Sequence, residues 1–329
     1  MLSTPASRPR LLMSQAMTAP VMERAERDYE LDPPPVRLLS GEALLDRCRQ
    51  FRPEMLMVTS GTTVGTAVVE GLPSTVRLLA TVSVGFDHID RDALARRGIP
   101  LCNTPDVLTE CNADLTMLLI LGACRRAAEH TALLRDRWHE PMAMTELLGI
   151  RASGRTLGIV GMGRIGRAVA RRARGFGMRV LYCNRRRLPP GLEEGAEFVA
   201  DLRDLLPRAQ ILSLHAPGGP ATRDLIGRDE LALLPRGAVL VNAARGSLLD
   251  EDALFDALDR GHLFAAGLDV FRNEPAIDGR FRTHPRVFAT PHVGSATSET
   301  RTAMGMKALD NIELFRRGEP PPDLVPPPA

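Results

Sequence analysis

An α/β architecture built on Rossmann-like, doubly wound parallel sheets follows from three features of this 329-residue sequence. Short apolar runs alternate with helix-period segments along most of the chain. The alternation begins twice, near the N-terminus and again near residue 150, so two domains are expected. The second start is TLGIVGMGRIG at 156–166: a run typical of a strand buried on both faces, glycines at the GxGxxG spacing, then a helix-forming segment. In that order the glycines have a mechanism: Gly161 permits the turn, Gly163 lets the backbone approach a pyrophosphate, and Gly166 lets the helix pack on the strand. The helix N-terminus adds unpaired N–H groups and a partial positive charge, so a dinucleotide is expected there.

Composition narrows the function classes. Apolar content of 44% and charged content of 25% are ordinary for a soluble globular protein. With 42 basic and 40 acidic residues the net charge is +2, which gives no global field for nucleic acid or an anionic membrane. The richest apolar segment, 115–124, is about half a membrane span and follows Asp114. The N-terminus lacks the progression of a signal peptide. Five scattered cysteines show neither CxxC pairing nor metal-ligand spacing and suit a reducing compartment, so the chain reads as cytoplasmic and metal-free.

Taken in order, residues 1–9 read as a loose tail, 10–15 as a strand, 21–29 as a helix and 33–35 as a proline break. A helix at 41–51, a strand at 55–59, a glycine and threonine loop at 60–65 and a buried strand at 76–84 follow. A helix at 89–97 and a strand at 99–103 complete a small parallel domain. One long helix is expected over about 111–137, leading through a loop with Trp138 to the glycine-rich strand. Strands at 179–183, 198–200, 211–215, 238–242, 265–270 and 288–290, with helical connectors, then make the dinucleotide fold. A last helix after Ser298 is expected to cross back to the first domain, before a proline-rich, extended tail at 320–329. The expected division is 1–112 plus 298–329 for a discontinuous substrate domain, with the dinucleotide domain, 113–297, inserted in it.

The second strand of that fold ends at Asn184, where a carboxylate for the NAD ribose normally stands, and three arginines follow. An amide does not repel a 2′-phosphate and guanidinium groups bind one bidentately, so NADP(H) is the expected cofactor, held by Asn184, Arg185 and Arg186. Arg245, Glu274 and His292 follow predicted strands, where ligands bind in open sheets. An arginine clamps a carboxylate and polarises a neighbouring keto oxygen. A histidine donates protons near neutral pH, and a carboxylate stabilises its charged form.

The segments VNAARGSLLDEDAL (241–254), GLDVFRNEP (267–275), TPHVGSAT (290–297), SVGFDHID (83–90), NTPDVLTE (103–110) and ELLGIRASGRTLGIVGMGRIGRAVA (146–170) resemble the D-isomer-specific 2-hydroxyacid dehydrogenases. The resemblance runs from about residue 55 to 318 and is greatest to the glyoxylate/hydroxypyruvate reductase branch, on NRRR, GFDHID and Trp138 ahead of ELLG. It implies that Arg245 orients the substrate carboxylate and carbonyl, that His292 protonates the keto oxygen, and that Glu274 pairs with His292. It implies that the N–H groups of Val84 and Gly85 hold the substrate carboxylate and that Trp138 walls the pocket of a partner subunit in a homodimer. For the cofactor it implies Arg164 and Ile165 at the pyrophosphate, His215, Ala216 and Pro217 beside the adenosine, and Asp269 at the nicotinamide amide. Thr109, Thr222, Ala243 and Gly294 complete that implied cofactor set. The loop at 59–63 lacks the bulky residues many relatives carry, leaving room for an aryl or branched 2-keto acid as the alternative substrate. A non-catalytic NAD(P)-sensing protein is the alternative of another class. Formate dehydrogenases share the RxRLP-like sequence but carry an acid at the Asn184 position.

Overall fold

The structure, a computed structural model, describes residues 8–136 and 138–328. The expected loose tail lies outside the described residues up to position 7, as do Arg137 and Ala329 at the ends of the expected long helix and proline tail. The chain forms two compact units, one running up to Leu108 and resuming at Ala296, the other spanning Thr109–Ser295. The helix Thr109–Cys124 stays whole within the second, so the division precedes Thr109 rather than falling at 112.

The first unit is a parallel sheet of β1 (Arg10–Met13), β2 (Glu30–Leu31), β3 (Met55–Thr59), β4 (Leu78–Val82) and β5 (Leu101–Cys102) in the order β2-β1-β3-β4-β5. All five residues of β3 and of β4 are buried, as for strands covered on both faces. The strand expected at 76–84 stops at Val82, because the Ser83 hydroxyl donates to the Gly85 carbonyl (2.7 Å) and turns the chain there. The terminal helix Ser298–Arg316 belongs to this unit and packs on β4 and on the helix Ala19–Asp28, where Arg24 pairs with Asp310 at 2.6 Å. The proline tail is extended, and it is also fastened to the sheet edge. Val325 N–H donates to Leu101 O (2.8 Å) and Asn103 N–H to Asp323 O (3.2 Å), while the Asp323 carboxylate takes Lys307 (3.3 Å) and Asn311 (3.1 Å).

The second unit is a seven-stranded parallel sheet: β6 (Thr156–Val160), β7 (Arg179–Cys183), β8 (Glu197–Phe198), β9 (Ile211–Leu214), β10 (Ala238–Asn242), β11 (Leu263–Leu268) and β12 (Val287–Ala289). Its order is β12-β11-β10-β9-β6-β7-β8, so the direction of winding reverses between β6 and β9. In such sheets the crevice at the carboxyl ends beside that reversal receives ligands. Leu157, Ile159, Val239 and Val241 pack on one face, and Leu212, Leu214, Leu240 and Leu268 on the other. Burial on both faces is why these strands read as continuous apolar runs rather than as alternation.

The single helix expected at 111–137 is instead two, Thr109–Cys124 and Ala127–Asp136. Arg126 between them has φ 53°, a left-handed conformation that ends a helix, and its guanidinium grips Glu129 at 2.6 and 2.5 Å in the first turn of the next.

Candidate active site

β6 ends in the glycine loop. Gly161 has φ 97°, and a Cβ there would stand 2.5 Å from Ala216 N, so only glycine fits beside the end of β9. His215 N–H donates to Val160 O (2.7 Å), which brings His215, Ala216 and Pro217 alongside the loop. Gly163 caps the helix Arg164–Gly175 with no side-chain hydrogen bond and no acid in the first turn, leaving the positive helix end open to an anion. Arg164 opens that helix exposed, Ile165 is half-buried, and Gly166 is buried against the Gly161 carbonyl. Asn184 Oδ1 accepts from Met162 N–H at 2.6 Å, tying the end of β7 to the glycine loop. Beyond it Arg185 and Arg186 are exposed, whereas Arg187 is committed to Glu193. Burial lowers the His215 imidazole to about 4, so it is neutral, and its Nε2 meets Ser213 Oγ at 2.8 Å. Thr222 Oγ1 closes a short turn on Pro217 O at 2.7 Å. The open helix end, the loop with Gly161 and Gly163, and the acid-free end of β7 fit a nicotinamide dinucleotide.

At the ends of β10, β11 and β12, one buried carboxylate organises the backbone. Asp269, 1% exposed, accepts from Thr290 Oγ1 (2.6 Å), Val293 N–H (2.8 Å) and Gly294 N–H (2.9 Å). Its own N–H donates to Asn242 O (2.9 Å), and its carbonyl accepts from His292 N–H (2.8 Å). Burial pushes the Asp269 carboxyl above the usual range, against the pull of those hydrogen bonds. Asn242, fully buried, donates through Nδ2 to Arg245 O (2.8 Å) and accepts from Ala244 N–H (3.0 Å), leaving Ala243 and Arg245 in a fixed turn.

Glu274 completes this end of the sheet. Burial favours its neutral form, but hydrogen bonds from His292 Nδ1 (2.6 Å) and Phe271 N–H (2.7 Å), with the charges of His292 and Arg245, outweigh it and lower its pKa. An ionised carboxylate only accepts, so His292 Nδ1 carries a proton and Nε2 remains for another partner. Arg245, Glu274 and His292, widely spaced in sequence, are thus one electrostatic group.

In the first unit, the turn after β4 presents Val84 and Gly85. Ser83 O accepts from Thr104 N–H (2.9 Å), and Val84 O accepts from Asn103 Nδ2 (2.9 Å). A trans peptide points its N–H opposite its C=O, so these bonds aim the Val84 and Gly85 amides away from residues 103 and 104. A hydroxyl chain backs the turn, Thr81 meeting Ser83 at 2.7 Å and His88 at 3.0 Å. Because Ser83 donates to Gly85 O, Thr81 donates to Ser83 and His88 Nε2 donates to Thr81. Thr109 starts its helix half-buried, and Trp138 is 56% exposed.

Sequence reasoning missed the residues that hold these groups: Asn103, Asn242 and Thr290. Their signal is a polar side chain at the end of an apolar run, as in AVLVN at 238–242.

Comparison with known proteins identifies the class. Residues 117–294 match the family model described as D-isomer specific 2-hydroxyacid dehydrogenase, NAD binding domain. The glyoxylate reductase of Thermococcus litoralis is 40% identical over 291 residues, 86% of each chain. That of Korarchaeum cryptofilum is 39% identical over 97% of this chain and 96% of its own. The crystal structure of the NADPH-dependent glyoxylate/hydroxypyruvate reductase of Sinorhizobium meliloti, in complex with NADP and malonate, aligns with a TM-score of 0.83 at 33% identity, covering 97% of both chains. The chain belongs to the D-isomer-specific 2-hydroxyacid dehydrogenase family. It is an NAD(P)-dependent oxidoreductase of the glyoxylate reductase branch.

Proposed function

We propose that the enzyme reduces glyoxylate or hydroxypyruvate to the D-2-hydroxy acid with NADPH. The observation that carries this is the 2.6 Å bond from His292 Nδ1 to ionised Glu274 beside Arg245, which leaves His292 Nε2 as the proton donor. The Arg245 guanidinium holds the substrate carboxylate and polarises the keto oxygen, while the Val84 and Gly85 amides bind the carboxylate. Held by these residues, a nicotinamide dinucleotide would supply the hydride for reduction of the keto carbon. His292 gives its proton to the keto oxygen, becomes neutral and is recharged from solvent; Glu274 stabilises the charged imidazole. The glycine loop with Arg164 and Ile165 holds the pyrophosphate, and His215, Ala216 and Pro217 line the adenosine. Thr109, Thr222, Ala243 and Gly294 border the cofactor, and Asp269 orients the nicotinamide amide. Asn184, Arg185 and Arg186 take the 2′-phosphate, a reading supported by the absence of an acid there and by the NADP bound to the S. meliloti relative.

A homodimer is part of this reading. Leu134, Trp138, Met144 and Leu148 are 64, 56, 93 and 57% exposed within one short stretch, four large apolar side chains that a second copy would cover. Five scattered cysteines with no CxxC spacing fit the reducing cytoplasm, and disulfide-linked material from cells would contradict that. No helix among the described residues is long and apolar enough to cross a membrane.

His292→Ala should lower kcat for glyoxylate by about 10²–10⁴ with a smaller change in KM. Arg245→Ala should lower kcat/KM by about 10² or more. Unimpaired turnover in either variant would remove that residue from the chemistry. For the cofactor, kcat/KM with NADPH should exceed that with NADH; the reverse order would refute the 2′-phosphate assignment. Sedimentation should give a dimer that Trp138→Arg weakens, and a monomer at all concentrations would overturn the interface.

A further inference from the structure

Glu193 is an unusual residue for a surface turn. It closes the four-residue helix Pro190–Glu193, yet its side chain is only 10% exposed. It accepts from Tyr182 Oη (2.6 Å) and from Arg187 through Nε (2.8 Å) and Nη2 (3.1 Å). Tyr182 Oη in turn accepts from Leu188 N–H at 3.0 Å, and its buried ring packs on Phe198 with centroids 5.3 Å apart. Hydrogen bonds from Arg187 and then from Tyr182 hold the Glu193 carboxyl below its ordinary value, so it is ionised and balances the charge of protonated Arg187.

The loop after β7 is therefore pinned on both sides. Asn184 is bonded to the glycine loop through Met162, and Arg187 and Leu188 are bonded to Glu193 and Tyr182. Between the pins stand Arg185 and Arg186, exposed and without a partner among the described residues. We infer that Tyr182, Glu193 and Arg187 are positioning residues for cofactor selection: they hold the 184–188 loop so that Arg185 and Arg186 are already arranged for the 2′-phosphate.

This inference rests on the NADPH reading above. Its physical content is pre-organisation. Ordering two long arginine side chains and their backbone on binding would subtract from affinity, and a loop fixed beforehand avoids part of that cost. Pairing with Glu193 also keeps Arg187 from competing for the phosphate, so the charge presented is that of Arg185 and Arg186. NADH has no 2′-phosphate and gains nothing from the arrangement.

The test is equilibrium binding to the full-length protein, titrating NADPH and NADH by cofactor fluorescence. Tyr182→Phe keeps the buried ring and removes the hydroxyl that holds both Glu193 and Leu188. The Kd for NADPH should rise about threefold to tenfold while that for NADH stays within about twofold. Glu193→Gln, which removes the charge but not the shape, should act in the same direction. An unchanged NADPH affinity in both variants, a gain in NADPH affinity, or an equal loss for both cofactors would overturn the positioning role. The double variant Arg185→Ser/Arg186→Ser separates the two readings. If it loses NADPH affinity and Tyr182→Phe does not, only the positioning role fails. If it leaves NADPH affinity intact, the 2′-phosphate reading fails and this inference with it.

Discussion

The carboxylate of Asp269 is the constraint on which the second unit's site depends. It is 1% exposed, and an unpartnered charge at such a depth would be strongly destabilising. Two backbone amides and one hydroxyl, all from the segment after β12, satisfy it. The same residue uses its own N–H on Asn242, and Asn242 in turn fixes the turn that carries Arg245. His292 hangs from the Asp269 carbonyl. The proposed clamp and the proposed proton donor are therefore referenced to one buried residue, and Glu274 joins them by its bond to His292.

The parallel sheet makes this possible. All strands of the second unit run the same way, so β10, β11 and β12 deliver their carboxyl ends side by side. Turns that are far apart in sequence can then exchange short hydrogen bonds. The reversal of winding between β6 and β9 opens the glycine loop at the same edge, with an uncapped helix end facing outward. The first unit solves a related problem with fewer residues. There, the carbonyls of one turn are tied back by Asn103 and Thr104, and the amides are left pointing outward.

Much of this was legible in the sequence, for identifiable reasons. Strands covered on both faces are apolar at all but one position, so β3, β4, β9 and β10 stand out without any periodicity argument. Arg245, Glu274 and His292 are charged or titratable residues in the loops that follow strands, and family motifs surround them. The supporting residues were less legible. Asn242, Thr290 and Asn103 look like ordinary turn residues until the pairing of distant segments gives each of them a partner. The helix break at Arg126 has no proline or glycine to announce it; it depends on one left-handed residue secured by Glu129. The proline tail hid its edge pairing because prolines donate no hydrogen bond. Asp323, Leu324 and Val325, the non-proline residues within 320–328, carry that pairing.

The arrangement also separates two kinds of charge. Glu274 and Asp269 are carboxylates in the same region, but Glu274 is lowered by its cationic neighbours while Asp269 is raised by burial. One is suited to hold a cation, the other to hold backbone beside its proposed place at the nicotinamide amide. The most direct test of that division is the turnover of Asp269→Asn with glyoxylate and NADPH, measured on protein shown by circular dichroism to be folded. The substitution keeps the shape but turns an amide donor toward groups that are all donors, so the segment bearing His292 must shift. The account predicts that kcat falls by about 10² or more, the scale of a displacement of about 1 Å at the reacting groups. A folded variant whose kcat stays within about twofold of the parent, far short of that scale, would contradict it.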